Sequence, residues 1–312
     1  MERAAPRVAV LVPCYNEALT VAKVVDDFRA ALPGCVVYVY DNRSTDGTGD
    51  IARRSGAIVR RESRPGKGGV MRRMFAEIDA DIYVVTDGDA TYDATRAPEM
   101  VSRLVQDDLD VVTGIRDHAD RDAAYRRGHQ VGNRMFNWLL GVLFRERPTD
   151  MFSGYRAMSR RFVKSFPAEA RGFEIETELT VHALELRVPT AEIVTSYFER
   201  PDGSHSKLST YKDGLRILYT MARLFRDVRP LPFFFGLAAL FAATGLALGA
   251  EVVAEYLATG LVPRLPTAVL ATGLMLVASL SIVCGMILDS VARGRREAKR
   301  LAYLAAADRR HT

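Results

Sequence analysis

IYVVTDGDATYD, residues 82–93, is an apolar β-rich run followed by two carboxylates one residue apart. A short run of this kind, closed by turn-forming residues, is predicted to be a buried strand over Ile82–Thr86. Asp87 and Asp89 then fall on the turn after the strand's carboxyl end. Carboxylates at i and i+2 can converge on one hard divalent cation, and such a cation can hold a diphosphate. Acidic pairs at strand ends are common, so the weight of this one depends on what the fold brings beside it.

Outward from this stretch the same alternation repeats. Strands are expected at Val8–Val12, Val36–Tyr40 and Val111–Thr113, with a shorter one at Ala57–Val59. Helical periodicity marks Glu17–Ala31, Asp46–Arg54, Lys67–Ile78 and Arg96–Gln106. The alternation predicts an α/β fold, a Rossmann-like and mostly parallel sheet with helices on both faces. Ligands of open sheets bind beyond the carboxyl ends of the strands, and polar clusters occupy those places. Pro13–Glu17 offers a turn, the Tyr15 face, Asn16 and an acid suited to a ribose. Asp41 can accept hydrogen bonds from a base edge, while Asn42, Ser44 and Asp46 equally suit capping of the next helix. His182 lies in a helical stretch and is read as structural.

Beyond about Val228 the composition changes. Leu231–Ala250 and Leu265–Leu288 contain no charged residue, and about twenty apolar residues suffice for a helix to cross a bilayer. Transmembrane helices are therefore expected at 231–257 and 264–291. Lys207, Lys212, Arg216, Arg223, Arg226 and Arg229 precede the first run, and Arg293, Arg295, Arg296, Lys299 and Arg300 follow the second. Arg264, beside Glu251 and Glu255, is the lone basic residue between them. This bias places both termini in the cytoplasm and the connection outside. Within Tyr211–Val228, Lys212, Arg216, Arg223 and Arg226 share one helical face and Ile217, Leu218, Met221, Leu224 and Phe225 the other. That pattern predicts an interfacial amphipathic helix in the headgroup plane. The expected layout is thus an α/β domain at 1–208, the interfacial helix and linker at 209–230, two spans, and a basic cytoplasmic tail at 292–312.

The net charge of +5 across 312 residues fits anionic lipid headgroups. No basic–aromatic nucleic-acid motif is present, so membrane lipids rather than nucleic acid are the expected partners. Cys14, Cys35 and Cys284 form an odd, unpatterned set, as in a reducing compartment. Arg7 leads straight into the first strand, so no signal peptide is expected. Gly236, Gly245 and Gly249 permit close helix packing and a homo-oligomer.

Eight stretches occur in one order: VLVPCYNE (10–17), YDNRSTDGT (40–48), RPGKGG (64–69), VVTDGDATYD (84–93), VTGIRDH (112–118), TDMFSGYRAMSRRF (149–162), GFEIETEL (172–179) and RPDGSHSKLSTYKDG (200–214). Together they resemble family 2 glycosyltransferases of the GT-A fold. The branch they look most like comprises dolichol-phosphate mannose synthases and bacterial undecaprenyl-phosphate sugar transferases, which two C-terminal spans also suit. The resemblance implies that Pro13, Tyr15, Asn16, Glu17, Asp41, Asn42 and Ser44 line a nucleotide-sugar pocket, with Lys67 near the donor. It implies that Asp87, Gly88 and Asp89 meet the diphosphate through Mg²⁺ or Mn²⁺ ligated by Asp87 and Asp89. Better-known members carry glutamine or a similar residue two positions past the second acid. Thr91 stands there, leaving the third protein ligand open. Arg116, with Arg126 or Arg127, is implied to bind phosphate oxygens, and Arg200, Ser204 and Lys207 to close over the reacting phosphates. Arg116, Arg126, Ser204 and Lys207 would take the acceptor phosphate. Asp150 would orient sugar or acceptor. Glu174 and Glu176 are candidates to face the sugar, Glu174 alternatively capping the helix that runs to Leu186.

The implied acceptor is polyprenyl phosphate, undecaprenyl or dolichyl. A phosphate monoester is largely ionised near neutrality, so no Ser–His–Asp or Cys–His set is required, and none is visible. The remaining work is to neutralise two approaching anions and the departing diphosphate, for which a divalent ion and arginines are suited. The expected reaction is one in-line displacement with inversion at the cytoplasmic face of the inner membrane. A UDP-sugar is preferred as donor over GDP-mannose. One alternative is extension of a polysaccharide or another lipid-linked glycan, although the Gln-x-x-Arg-Trp motif of cellulose-type synthases is missing around Trp138. The other is a catalytically silent membrane-tethered scaffold, against which the retained Asp87, Asp89, Arg116 and Lys207 argue.

Overall fold

The computed structural model describes residues 6–116, 141, 149–169, 172, 174–200 and 222–306. Arg126, Arg127, Ser204 and Lys207 lie outside the described residues, as does the proposed amphipathic helix up to 221. Two compact units are present: 1–210 together with 298–312, and 211–297.

The first unit is built on a seven-stranded sheet in the order β3-β2-β1-β4-β6-β5-β7. Its strands are β1 (Val8–Cys14), β2 (Val36–Asp41), β3 (Ile58–Arg61), β4 (Ile82–Val85), β5 (Val111–Arg116), β6 (Arg156–Ser159) and β7 (Thr190–Thr195). Helices α1 (Val21–Ala31), α2 (Thr48–Arg54), α3 (Lys67–Glu77), α4 (Ala97–Gln106), α5 (Arg160–Ser165) and α6 (Ile175–Leu186) cover it. Strand side chains alternate between the two faces, and a strand buried on both faces must be apolar throughout. In β1, Val10, Val12 and Cys14 enter one core with Val25 and Phe28 of α1 and Met100 and Leu104 of α4. Ala9 and Leu11 enter the other, with Met71 and Met74 of α3, Phe162 of α5 and Leu179 of α6. The fold is GT-A-like, as the strand–helix alternation predicts.

Two strands escaped the sequence pattern. β6 runs antiparallel between β4 and β5, and its buried Arg156 hides the apolar signal. That guanidinium is 3% exposed and donates to the carbonyls of Met151, Ser153 and Glu176 and to Thr180 Oγ1. β7 lies at the sheet edge, parallel to β5, and carries Glu192, which accepts from Thr149 N at 2.8 Å. Helix starts also shift. α1 begins at Val21 because Glu17 O already accepts from Thr20 N and Val21 N in a turn. α2 is entered through Gly47 at φ 86° with no side-chain cap from that residue; Asp46 Oδ1 accepts from Thr48 N, the first helical residue, at 3.0 Å as a cap would, whereas Asn42 and Ser44 make other contacts.

His182 is structural in this fold. It is fully buried against Phe162 and Phe166, with Nε2 3.0 Å from Ser165 Oγ. Burial, with a smaller contribution from Lys299, pushes its pKa down from 6.5 to about 3. Between those values the unfolded chain binds a proton that the folded chain refuses, so stability falls as pH drops below 6.5. The slope reaches at most about 1.4 kcal/mol per pH unit. His182→Leu should therefore lose less melting temperature than the wild type between pH 7.5 and 5.5. An equal loss would remove His182 from the acid response.

The C-terminal residues of the first unit dock on the same side. Lys299 Nζ meets Glu185 Oε2 at 2.7 Å, and Tyr303 Oη donates to Asp110 Oδ2 at 2.7 Å. Asp110 is fully buried and also accepts from Ser159 and Arg161, so these contacts satisfy a carboxylate that water does not reach.

The second unit is formed by α7 (Pro230–Thr259) and by α8 (Leu265–Ala305) up to 297. Both are long and apolar enough to cross a membrane, with mean hydropathy 2.0 and 2.2 in their best windows. Soluble core helices hide their leucines, whereas Leu240, Leu246, Leu276 and Leu280 are exposed here. Most buried positions recur every seven residues, Ala238, Gly245 and Val252 on α7 and Ala271, Ala278, Gly285 and Ala292 on α8, with Pro230 and Ser281 buried outside that spacing. Small residues let helix backbones approach closely, and a Cβ on Gly245 would lie 3.2 Å from Ala271 O. Gly249 also sits against Ala271, but Gly236 meets nothing within 4 Å. Its expected packing role passes to Gly285, where a Cβ would come 3.0 Å from that of Phe234.

Candidate active site

The carboxyl ends of β1 and β4 bring the predicted clusters to one cavity of about 520 Å³. Its lining includes Pro13, Tyr15 and Glu17 after β1, Asp87, Gly88 and Asp89 after β4, and Lys67 and Arg200. The loops after β1 and β2 are tied together. Asn16 N donates to Ser44 Oγ at 2.9 Å, Thr45 N to Asn16 Oδ1 at 2.9 Å, and Ala18 N to Asp46 Oδ2 at 3.0 Å. The Asp87–Asp89 turn is fixed from behind. Thr20 Oγ1 donates to Gly88 O at 2.6 Å, and a Cβ on Gly88 would lie 2.5 Å from buried Cys14 Sγ. Only glycine lets this turn lie flat against β1.

Each acid faces a cation. Lys67 Nζ lies 2.5 Å from Asp87 Oδ1 and 2.5 Å from Glu176 Oε1. Burial alone would lower the pKa of Lys67, but the charges of Asp87 and Glu176 overcome it and raise it, so the ammonium persists. Arg200 Nη2 lies 2.6 Å from Asp89 Oδ2. Burial, then the neighbouring Asp87 charge, pushes the Asp89 pKa up, against Thr91 hydrogen bonds and Arg200, which pull it down. Thr91 Oγ1 donates to Asp89 Oδ1 at 2.6 Å. The residue at the position where a third ligand was sought thus orients the second acid.

Other predicted residues sit apart from this cavity. Asp41 and Ser44 border a neighbouring depression with Gly47 and Arg53, and Asp41 Oδ1 accepts from Ser44 N at 2.8 Å. Asn42 lines the cavity, yet its amide is engaged by Glu62 O, Arg64 O and Gly66 N. It therefore shapes the loop that delivers Lys67. Arg116 and Asp150 form a buried bidentate pair, Nε–Oδ2 2.7 Å and Nη2–Oδ1 2.8 Å, with Tyr197 stacked 5.4 Å from the guanidinium. Glu174 occupies the N-cap position of α6 without a capping hydrogen bond.

Two contributors carried little signal of their own. Gly154 has its N–H on Tyr92 Oη at 2.9 Å, and a Cβ there would lie 2.9 Å from Asp87 Oδ2 and 3.2 Å from Lys67 Nζ. Glu176 reaches Lys67 from α6, a contact between residues over a hundred positions apart that periodicity does not report. Both lie in quoted stretches, TDMFSGYRAMSRRF and GFEIETEL.

The donor set suits a hard divalent ion. Among the described residues no three His, Cys, Asp or Glu side chains group as a complete protein site. Mg²⁺ is commonly held by one or two carboxylates, with phosphates and water completing the shell. Asp87 and Asp89 fit that pattern, both lining the cavity, with the Asp87 side chain 29% exposed.

An α/β sheet with paired acids at the end of its fourth strand, two cations on those acids and an open cleft defines a GT-A-type transferase. The model of glycosyl transferase family 2 matches residues 9–165, half of the chain, and the chain belongs to that family: it is a glycosyltransferase. Glycosyltransferase AglJ of Haloferax volcanii is 33% identical over 291 residues, covering 93% of this chain and 95% of that protein. The low-salt glycan biosynthesis hexosyltransferase Agl6 of the same organism is 27% identical over 217 residues, covering 68% of this chain and 52% of Agl6. Among solved structures, glucosyl-3-phosphoglycerate synthase from Mycobacterium tuberculosis, in complex with Mn²⁺, UDP-glucose and phosphoglyceric acid, shares the fold. Its TM-score is 0.57 at 24% identity, covering 71% of this chain and 79% of that one.

Proposed function

We propose that the chain transfers a hexose from a nucleotide-sugar, a UDP-sugar in preference to GDP-mannose, to undecaprenyl or dolichyl phosphate with inversion. The observation that carries this reading is the convergence of Asp87, Asp89, Lys67 and Arg200 on one cleft, because that charge pattern suits a diphosphate and its counter-ion. The fold-level neighbour with Mn²⁺ and UDP-glucose and the glycan-biosynthesis relative support the donor class. The two apolar helices support a lipid acceptor, and the Lys/Arg bias supports a cytoplasmic catalytic domain at the inner membrane with both termini inside.

In this mechanism Asp87 and Asp89 would hold Mg²⁺ or Mn²⁺. When bound, the ion offsets the charge of the departing diphosphate. Thr91 keeps the Asp89 carboxylate aimed at the cleft, and Arg200 supplies a charge-assisted contact to phosphate oxygens. Tyr15, 46% exposed, presents a ring face for the base. Arg116 is held by Asp150 and lies over the Tyr197 ring. The acceptor phosphate is already anionic and attacks the anomeric carbon directly.

A donor panel tests this. UDP- and GDP-sugars incubated with undecaprenyl phosphate and purified protein should yield one glycolipid with a UDP-sugar, and none in excess EDTA. Full activity in EDTA would refute the metal reading, and transfer only to a soluble glycan would refute the lipid acceptor.

A further inference from the structure

Lys67 stands between two carboxylates of different character. Asp87 is in front, lining the cleft with a side chain 29% exposed. Glu176 is behind, absent from the cavity lining, with a side chain 7% exposed. Glu176 uses Oε1 on the ammonium, while its buried Oε2 has no hydrogen-bond partner among the described residues. A buried carboxylate oxygen without a partner is costly, so its persistence calls for an explanation. Lys67 opens α3 and Glu176 lies in the first turn of α6. A helix N-terminus disfavours a cation and favours an anion, so the lysine depends on its carboxylates while Glu176 is held in place by its own helix.

The consequence concerns Asp87. A cation-binding carboxylate that is already paired with an ammonium must release it before a divalent ion can bind with full effect. Without another anion nearby, the ammonium would stay as a competitor or be left buried and unpaired.

We infer that Glu176 is a positioning residue that receives Lys67 when a divalent ion engages Asp87. The ammonium moves from bridging Asp87 and Glu176 to resting on Glu176 alone, where Oε2 supplies the second contact that Asp87 gives up. Asp87 thereby exchanges a monovalent for a divalent partner without leaving a bare charge in the protein. Gly154 is part of the device, because any Cβ there would crowd both Asp87 Oδ2 and Lys67 Nζ.

The inference rests on Asp87 and Asp89 being the ion's ligands, and its test separates the two ideas. Mn²⁺ binding to the full chain in detergent is measured without nucleotide, by loss of the free Mn²⁺ paramagnetic resonance signal. Glu176→Gln keeps shape but removes the receiving charge, so Mn²⁺ should bind about tenfold more weakly. Lys67→Met/Glu176→Gln removes the competitor as well, and binding should return to within about threefold of the wild type. A residue needed only for packing would not be rescued by a second substitution. Unchanged Mn²⁺ affinity in Glu176→Gln, or a double variant as weak as the single, overturns the inference. Should Glu176→Gln fail to fold, the double variant decides alone: near-wild-type affinity supports the exchange and a tenfold loss refutes it. Asp89→Ala in the same assay marks the other failure, since unchanged binding there would remove the metal site itself.

Discussion

Asp89→Ala should lose at least about a thousandfold in sugar transfer, some 4 kcal/mol of barrier, while the protein still folds. Asp89 is 3% exposed and joins Arg200 to Thr91 at the centre of the acidic turn. In the proposed mechanism its removal would take one of two acids from the ion and leave the departing diphosphate under-compensated. Electrostatic groups aimed at developing charge carry the largest single catalytic contributions, about 10²–10³ for one donor, and a shared cation exceeds one donor. The structural cost is smaller, because Arg200 is partly solvated at 31% side-chain exposure and Thr91 loses two hydrogen bonds, from N and Oγ1, each worth about 1 kcal/mol. Circular dichroism and a melting curve check the fold, and product formation at saturating Mn²⁺ checks the chemistry. A variant with a tenth of wild-type turnover would show that Asp89 is not a metal ligand in the reacting complex.

The second large effect is expected from the smallest change. Gly154→Ala adds one methyl group, yet its Cβ would stand 2.9 Å from Asp87 Oδ2 and 3.2 Å from Lys67 Nζ. The Gly154 N–H bond to Tyr92 Oη survives the substitution, so the chain path is retained. What has to give is the Asp87 carboxylate or the lysine. A misplacement near 1 Å in a reacting constellation can cost about 10² in rate, and a loss of that size in kcat/KM is expected, with Mn²⁺-dependent UDP binding weakened in parallel. Gly69→Ala is the control. It lies in α3 with nothing within 4 Å of the new Cβ, so it should be neutral or stabilise by about 0.5–1 kcal/mol. Equal behaviour of the two variants would show that the hollow at Gly154 has no functional content.

The expected strands β1 to β5 and helices α1 to α4 are present, because each buries an apolar face whose periodicity the chain itself displays. β6 and β7 escaped because tertiary contacts carry their polar residues: Arg156 is solvated by three carbonyls from two segments, and Glu192 by the Thr149 amide. The acidic turn was legible from two carboxylates after an apolar strand. Its cationic partners were named as site residues, but which acid each would meet was not readable. The pairing of Arg116 with Asp150, both buried, was not readable either; two opposite charges removed from water must find each other.

By itself, then, the amino-acid sequence determined the alternation of strands and helices, the two apolar helices and the family, because local periodicity and contiguous motifs are properties of neighbouring residues. The tertiary structure decided the pairings: Lys67 between Asp87 and Glu176, Arg200 on Asp89, Thr91 behind Asp89, and the hollow at Gly154. Those depend on where β1, β4, α3 and α6 meet in space, and a buried charge takes whichever counter-charge the packing brings within reach, whatever its distance along the chain.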